Sequence, residues 1–93
     1  MYFAIQCIDK PDHSHVRAET RPVHLDYLRS KVGQVFCAGP LQDEAGSAIG
    51  SLIIMDFADR AEAEAFAAGD PYAKAGLFST VTITRWAKAL PAD

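Results

Sequence analysis

The amino-acid sequence predicts an α+β domain with the element order β-α-β-β-α-β. Three observations carry that expectation. The hydrophobic period switches between strand-like and helix-like along the chain of 93 residues. Gly, Pro and Asp punctuate each switch. Two short apolar runs in the middle are parted only by a polar loop with two glycines, so a hairpin joins them.

Residues 2–8 are rich in aromatic and β-branched side chains and apolar on both faces, as in a central strand. The polar run 9–14, with Pro11, stops it. From about residue 16 to residue 32 the period becomes helical. Val23, Tyr27 and the stem of Lys31 fall on one line; Leu25, Leu28 and Val32 widen it. Arg17, Glu19, Asp26 and Arg29 fall mostly elsewhere. Pro22 interrupts this pattern. Either the helix starts near Thr20 with Pro22 in its first turn, or a longer helix bends there. The first is preferred, with Gly33 as the stop.

Residues 34–41 form the second strand, 42–50 the loop and 51–57 the third strand. Asp59 is a natural N-cap, and Glu62 three residues on completes a box-like start. The Ala- and Glu-rich run that follows is a second helix anchored by Phe66 and stopped by Gly69. Asp70-Pro71-Tyr72 is a turn, with a short helical piece at 73–76. Residues 77–86 alternate Val81, Ile83 and Arg85 with Thr80, Thr82 and Thr84 in a fourth strand. Residues 87–93 are a tail. The whole chain, 1–93, reads as one domain. The order predicts a ferredoxin-like βαββαβ arrangement, a four-stranded antiparallel sheet with both helices on one face. Nothing in the chain covers the other face, so a homodimer through that face is expected.

With 9 basic and 12 acidic residues, the net charge is −3 and no stretch gathers Lys and Arg. Nucleic acid is therefore not an expected partner. No apolar run approaches the ~20 residues that cross a bilayer. The start carries no secretory pattern, so a cytoplasmic setting is expected and no membrane partner. Cys7 and Cys37 both lie in apolar runs and read as buried, unpaired thiols.

Of the three histidines, His13 and His15 sit in the polar first loop without a third ligand near in sequence, and read as solvated. No metal site is expected. His24 lies in the first helix; it is either a surface imidazole or a general acid or base. Asp70, between a glycine stop and a proline, either bonds nearby backbone or orients an imidazole. Contact between His24 and Asp70 does not follow from the residues alone.

Several segments together resemble the YciI-like (YCII-related) family. They are Asp9-Lys10, Arg21-Pro22-Val23-His24-Leu25, Ala38-Gly39-Pro40-Leu41, Gly50-Ser51 and Asp70-Pro71-Tyr72. Each motif is short; their order and spacing make the resemblance, which runs from about Tyr2 to Trp86. It implies a sheet-packed homodimer and a catalytic pair at His24 and Asp70. It also implies a pocket lined by Arg21, Ser51 and Tyr72. No metal or organic cofactor is expected. A guanidinium at Arg21 suits a carboxylate or phenolate. One branch of the family is associated with dehydrochlorination of a hydroxylated ring. The expected activity is acid–base chemistry on a small molecule, lyase- or hydrolase-like. The alternative is a non-catalytic small-ligand-binding or accessory protein using the same cleft.

Overall fold

A computed structural model describes residues 1–92. Strand β1 spans Tyr2–Asp9, helix α1 Ser14–Arg29, β2 Val35–Gln42 and β3 Ala48–Asp56. Helix α2 spans Arg60–Gly69, the short α3 Pro71–Lys74, and β4 Phe78–Trp86. The strands form one antiparallel sheet in the order β2-β3-β1-β4. This is the expected ferredoxin-like arrangement, with β1 central.

Register decides which side chains meet the helices. Phe3 lies opposite Met55 and Arg85, Ile5 opposite Ile53 and Ile83, and Cys7 opposite Ser51 and Val81. Directly opposed residues share a face. Phe3, Ile5, Cys7, Ile53 and Met55 join Phe57, Ala63 and Phe66 in the core, with Tyr27 and Leu28 of α1 packed against it. Asp59 caps α2 as expected, its carboxylate accepting from Glu62 N at 2.9 Å.

The first helix departs from expectation. It begins at Ser14, not near Thr20, and Pro22 lies inside it. Proline removes the bond to the carbonyl four residues back, here that of Ala18. Both Ala18 and Pro22 are exposed, so solvent can satisfy that carbonyl. The helix ends at Arg29, with Ser30 N bonded to the Asp26 carbonyl; Gly33 falls in a 3-10 turn at Val32–Gln34. Val23 and Val32 are exposed, whereas Arg17 and His24 are the buried residues of α1. The inward stripe is thus partly polar, which a search for apolar periodicity misplaces. The short helix after Asp70 also starts earlier than expected, at Pro71 rather than Ala73.

Cys7 is buried but Cys37 is exposed, contrary to expectation. Cys37 stands on an edge strand opposite Ile54, on the sheet face without helices. That face also carries a cluster of Tyr2, Phe36 and Trp86, with ring centroids 5.5–5.8 Å apart.

Two tests follow. A Cβ at Gly50 would collide with the backbone carbonyl of Cys7 on the neighbouring strand. Gly50→Ala should therefore lose about 1–3 kcal/mol in urea unfolding, the usual cost of overpacking. Burial pushes the Cys7 thiol up to about 12, with Asp70 and Asp9 adding to the shift and Arg17 opposing it. A thiol alkylating agent at pH 8 should leave Cys7 unmodified until denaturant unfolds the domain, as read by peptide mass spectrometry.

Candidate active site

Gly69 closes α2 where a Cβ would stand 2.6 Å from the Tyr27 hydroxyl. Asp70 follows in an extended conformation, as a residue before proline must. Its carboxylate Oδ1 accepts from Tyr72 N at 2.9 Å and so caps α3. The same oxygen lies 2.9 Å from His24 Nδ1. His24 and Asp70 are both buried. A carboxylate oxygen already holding one N–H accepts a second, so Nδ1 carries the proton of the imidazole. Nε2 is then left with its lone pair, and no described residue bonds it.

Arg17 and His24 are seven residues apart on α1, two turns and about 10.5 Å along its axis. The Tyr72 ring fills that gap. It stacks on His24 at a centroid distance of 4.0 Å and 21°, and the Arg17 guanidinium carbon lies 4.5 Å from the Tyr72 centroid. Two groups this near one ring must take opposite faces. The guanidinium is further held by Asp9 in a two-pronged pair, Nε to Oδ2 at 2.7 Å and Nη2 to Oδ1 at 2.9 Å. Nη2 also donates to Ser51 Oγ at 3.0 Å. Burial works against the Arg17 charge, but Asp9 and Tyr72 together outweigh it, and the net shift of the guanidinium is upward. Burial raises the Tyr72 hydroxyl, against the lowering effect of Arg17 and Arg21. Tyr72 is therefore a neutral hydroxyl near pH 7.

These groups open onto one cavity of about 420 Å³ between α1 and strands β2 and β3. Arg17, His24, Ser51 and Tyr72 supply its polar wall, and Arg21 stands exposed at its margin. Leu25, Leu28, Pro40 and Ile53 add apolar surface to the lining. A one-ring molecule fits such a space.

The five residues singled out from the sequence thus gather at one place. His24 and Asp70 meet, and Arg21, Ser51 and Tyr72 border the same cavity. Sequence reasoning missed Asp9 and Arg17. Arg17 had been placed on the polar side of the helix, although its spacing of seven from His24 puts both on one stripe. His13 and His15 stay outside, their rings 6.2 Å apart, with His13 Nδ1 2.7 Å from the Pro11 carbonyl. Among the described residues no helix is long and apolar enough to cross a membrane.

Comparison with known proteins bears on the family and the fold. The chain is 32% identical over 96 residues to Protein YciI of Escherichia coli O6:H1, covering 95% of this chain and 98% of that protein. A solved structure of 5-chloro-2-hydroxyhydroquinone dehydrochlorinase (TftG) from Burkholderia phenoliruptrix AC1100, in complex with 2,5-dihydroxybenzoquinone, superposes with a TM-score of 0.88. It is 30% identical, over 94% of each chain. An antibiotic biosynthesis monooxygenase fold from Bacteriodes thetaiotaomicron (TM-score 0.60, 13% identity, 99% of this chain and 91% of that one) shares the architecture alone. The YCII-related domain pattern matches residues 1–87, and the chain belongs to that family.

Proposed function

We propose that this protein is a small-molecule enzyme of lyase type that moves protons through His24 and Asp70. The observation that carries the reading is the pairing of a tied Nδ1 with an unbonded Nε2 on the wall of a one-ring cavity. Nε2 acts as the base toward an acidic O–H or C–H of the substrate. Asp70 holds the tautomer and favours the imidazolium that forms. Arg21, at the margin, attracts an anionic group.

The substrate class is a hydroxylated or halogenated aromatic ring, or a small anion of similar shape. The likeness to a dehydrochlorinase in complex with a dihydroxybenzoquinone supports it. For a halogenated hydroxyarene in its keto tautomer the step balances as loss of HX. Nε2 takes the O–H proton, the O–H electron pair becomes the carbonyl π bond, and the ring electrons expel halide with its bonding pair. No external oxidant or reductant enters. Cys7 is no candidate nucleophile, because its thiol stays protonated.

We further propose a homodimer through the sheet face that bears Tyr2, Phe36 and Trp86. Phe36 is 41% exposed in the single chain, and Ile8 and Cys37 share the face. The two unpaired cysteines fit a reducing, cytoplasmic setting.

Halide release from chlorinated hydroxyhydroquinones should be measured for the wild type, His24→Gln and Asp70→Asn. Each substitution should lower kcat by about 10²–10⁴, His24→Gln because it removes the base and Asp70→Asn because a neutral amide no longer stabilises the imidazolium that forms. Wild-type rates in both variants would refute the acid–base reading. Sedimentation at micromolar concentration should give a dimer, and Trp86 fluorescence should shift to the red on dilution. A monomer at that concentration would remove the dimer.

A further inference from the structure

Ser51 offers an observation that the His24 chemistry does not use. Its side chain is buried in β3, on the cavity wall. A hydroxyl has one proton to give and two lone pairs to receive with. A guanidinium only donates. The 3.0 Å contact from Arg17 Nη2 therefore spends a lone pair of Ser51 Oγ and leaves its proton unspent. Among the described residues no acceptor takes that proton. The proton must point away from the guanidinium, and the cavity is the open side. Asp9 fixes Arg17 by two short bonds, so the guanidinium cannot turn aside and release the serine.

Among the polar atoms of the cavity wall, two are of opposite character. His24 Nε2 accepts, and Ser51 Oγ–H donates. We propose that Ser51 reads a second oxygen on the substrate ring, and that Asp9 and Arg17 are positioning residues that set the direction of its hydroxyl. This deepens the acid–base reading of His24 and rests on it. The ligand that satisfies both atoms is a ring with an acidic O–H and a separate carbonyl, phenol or phenolate oxygen. A ring with a single hydroxyl satisfies one and leaves the other buried and unpaired, which disfavours it.

The test uses phenol and the three benzenediols as probes, bound under argon to the full-length protein and followed by NMR shifts of His24 and its neighbours. Phenol carries one oxygen; the diols place the second ortho, meta or para. The wild type should bind one diol about ten- to a hundredfold more tightly than phenol, the range for a hydrogen bond gained in a buried site. In Ser51→Ala that preference should vanish, because the diol loses its second partner and phenol no longer leaves a buried hydroxyl unpaired. Ser51→Thr, which keeps the hydroxyl, should retain the preference. Asp9→Asn, which loosens the guanidinium but leaves Ser51 in place, should lower the ratio of diol to phenol affinity. A change of stability alone would not alter a ratio of two affinities.

A wild type with no preference for any diol would overturn the role of Ser51, as would Ser51→Ala retaining the preference; the reading of His24 would stand in both cases. An unaltered ratio in Asp9→Asn would overturn the positioning role of Asp9 and Arg17. If none of the four probes binds the wild type, the phenolic reading of the cavity falls, and this assignment falls with it.

Discussion

One carboxylate oxygen ties the molecule's working parts together. Asp70 Oδ1 receives the backbone N–H of Tyr72 and the imidazole of His24, each at 2.9 Å. The first bond fixes where α2 gives way to α3. The second joins that turn to α1, which is distant in sequence. Proline after Asp70 removes the helical option for the aspartate, so its side chain faces forward to cap rather than continuing the helix. Tyr72, held by the same cap, is delivered against the imidazole face. A change at this oxygen therefore touches a helix start, a ring stack and a tautomer together.

The second constraint is electrostatic. Arg17 and Asp9 have side chains only 9% exposed, a placement that usually costs more desolvation than attraction returns. A chain of this length gains little by such a pair when apolar side chains would fill the same space. Its use is directional. The fork fixes the guanidinium, and the guanidinium fixes the lone pairs of Ser51 and one face of Tyr72. Buried polar networks are tolerable only when every member is satisfied, and among the described residues no buried side-chain nitrogen or oxygen is without a partner or an opening.

The fold was legible because its signals are local and redundant. Alternation in β4, the Asp59 cap and the glycine-punctuated loop each point to one element, and the order of elements leaves few topologies. Helix α1 was less legible for the reason that makes it functional. A search for apolar stripes assigns Val23 and Val32 inward, yet the inward positions are held by Arg17 and His24. Cys37 misled because apolar neighbours along a strand do not say whether that strand is an edge. Contact between His24 and Asp70 spans 46 residues, and no local pattern encodes it. The motif resemblance located the residues without supplying the bond.

Helix α1 acts as a ruler in this design. Its pitch places residues seven apart on one face at about 10.5 Å, a gap that one aromatic ring with two stacking partners fills. Shifting Arg17 or His24 by a single position would rotate it about 100° around the axis and empty the slot. Pro22 sits between them on the solvent side, where it holds φ without entering the stack. The helix can therefore bear a missing backbone bond in the middle, because the two turns around it are pinned from inside. Arg17 is pinned to β1 through Asp9, and His24 to the turn after α2 through Asp70. The cavity lies along this doubly anchored stretch, so its polar atoms are set by the sheet and by the second helical segment at once, and not by the propensity of α1 itself.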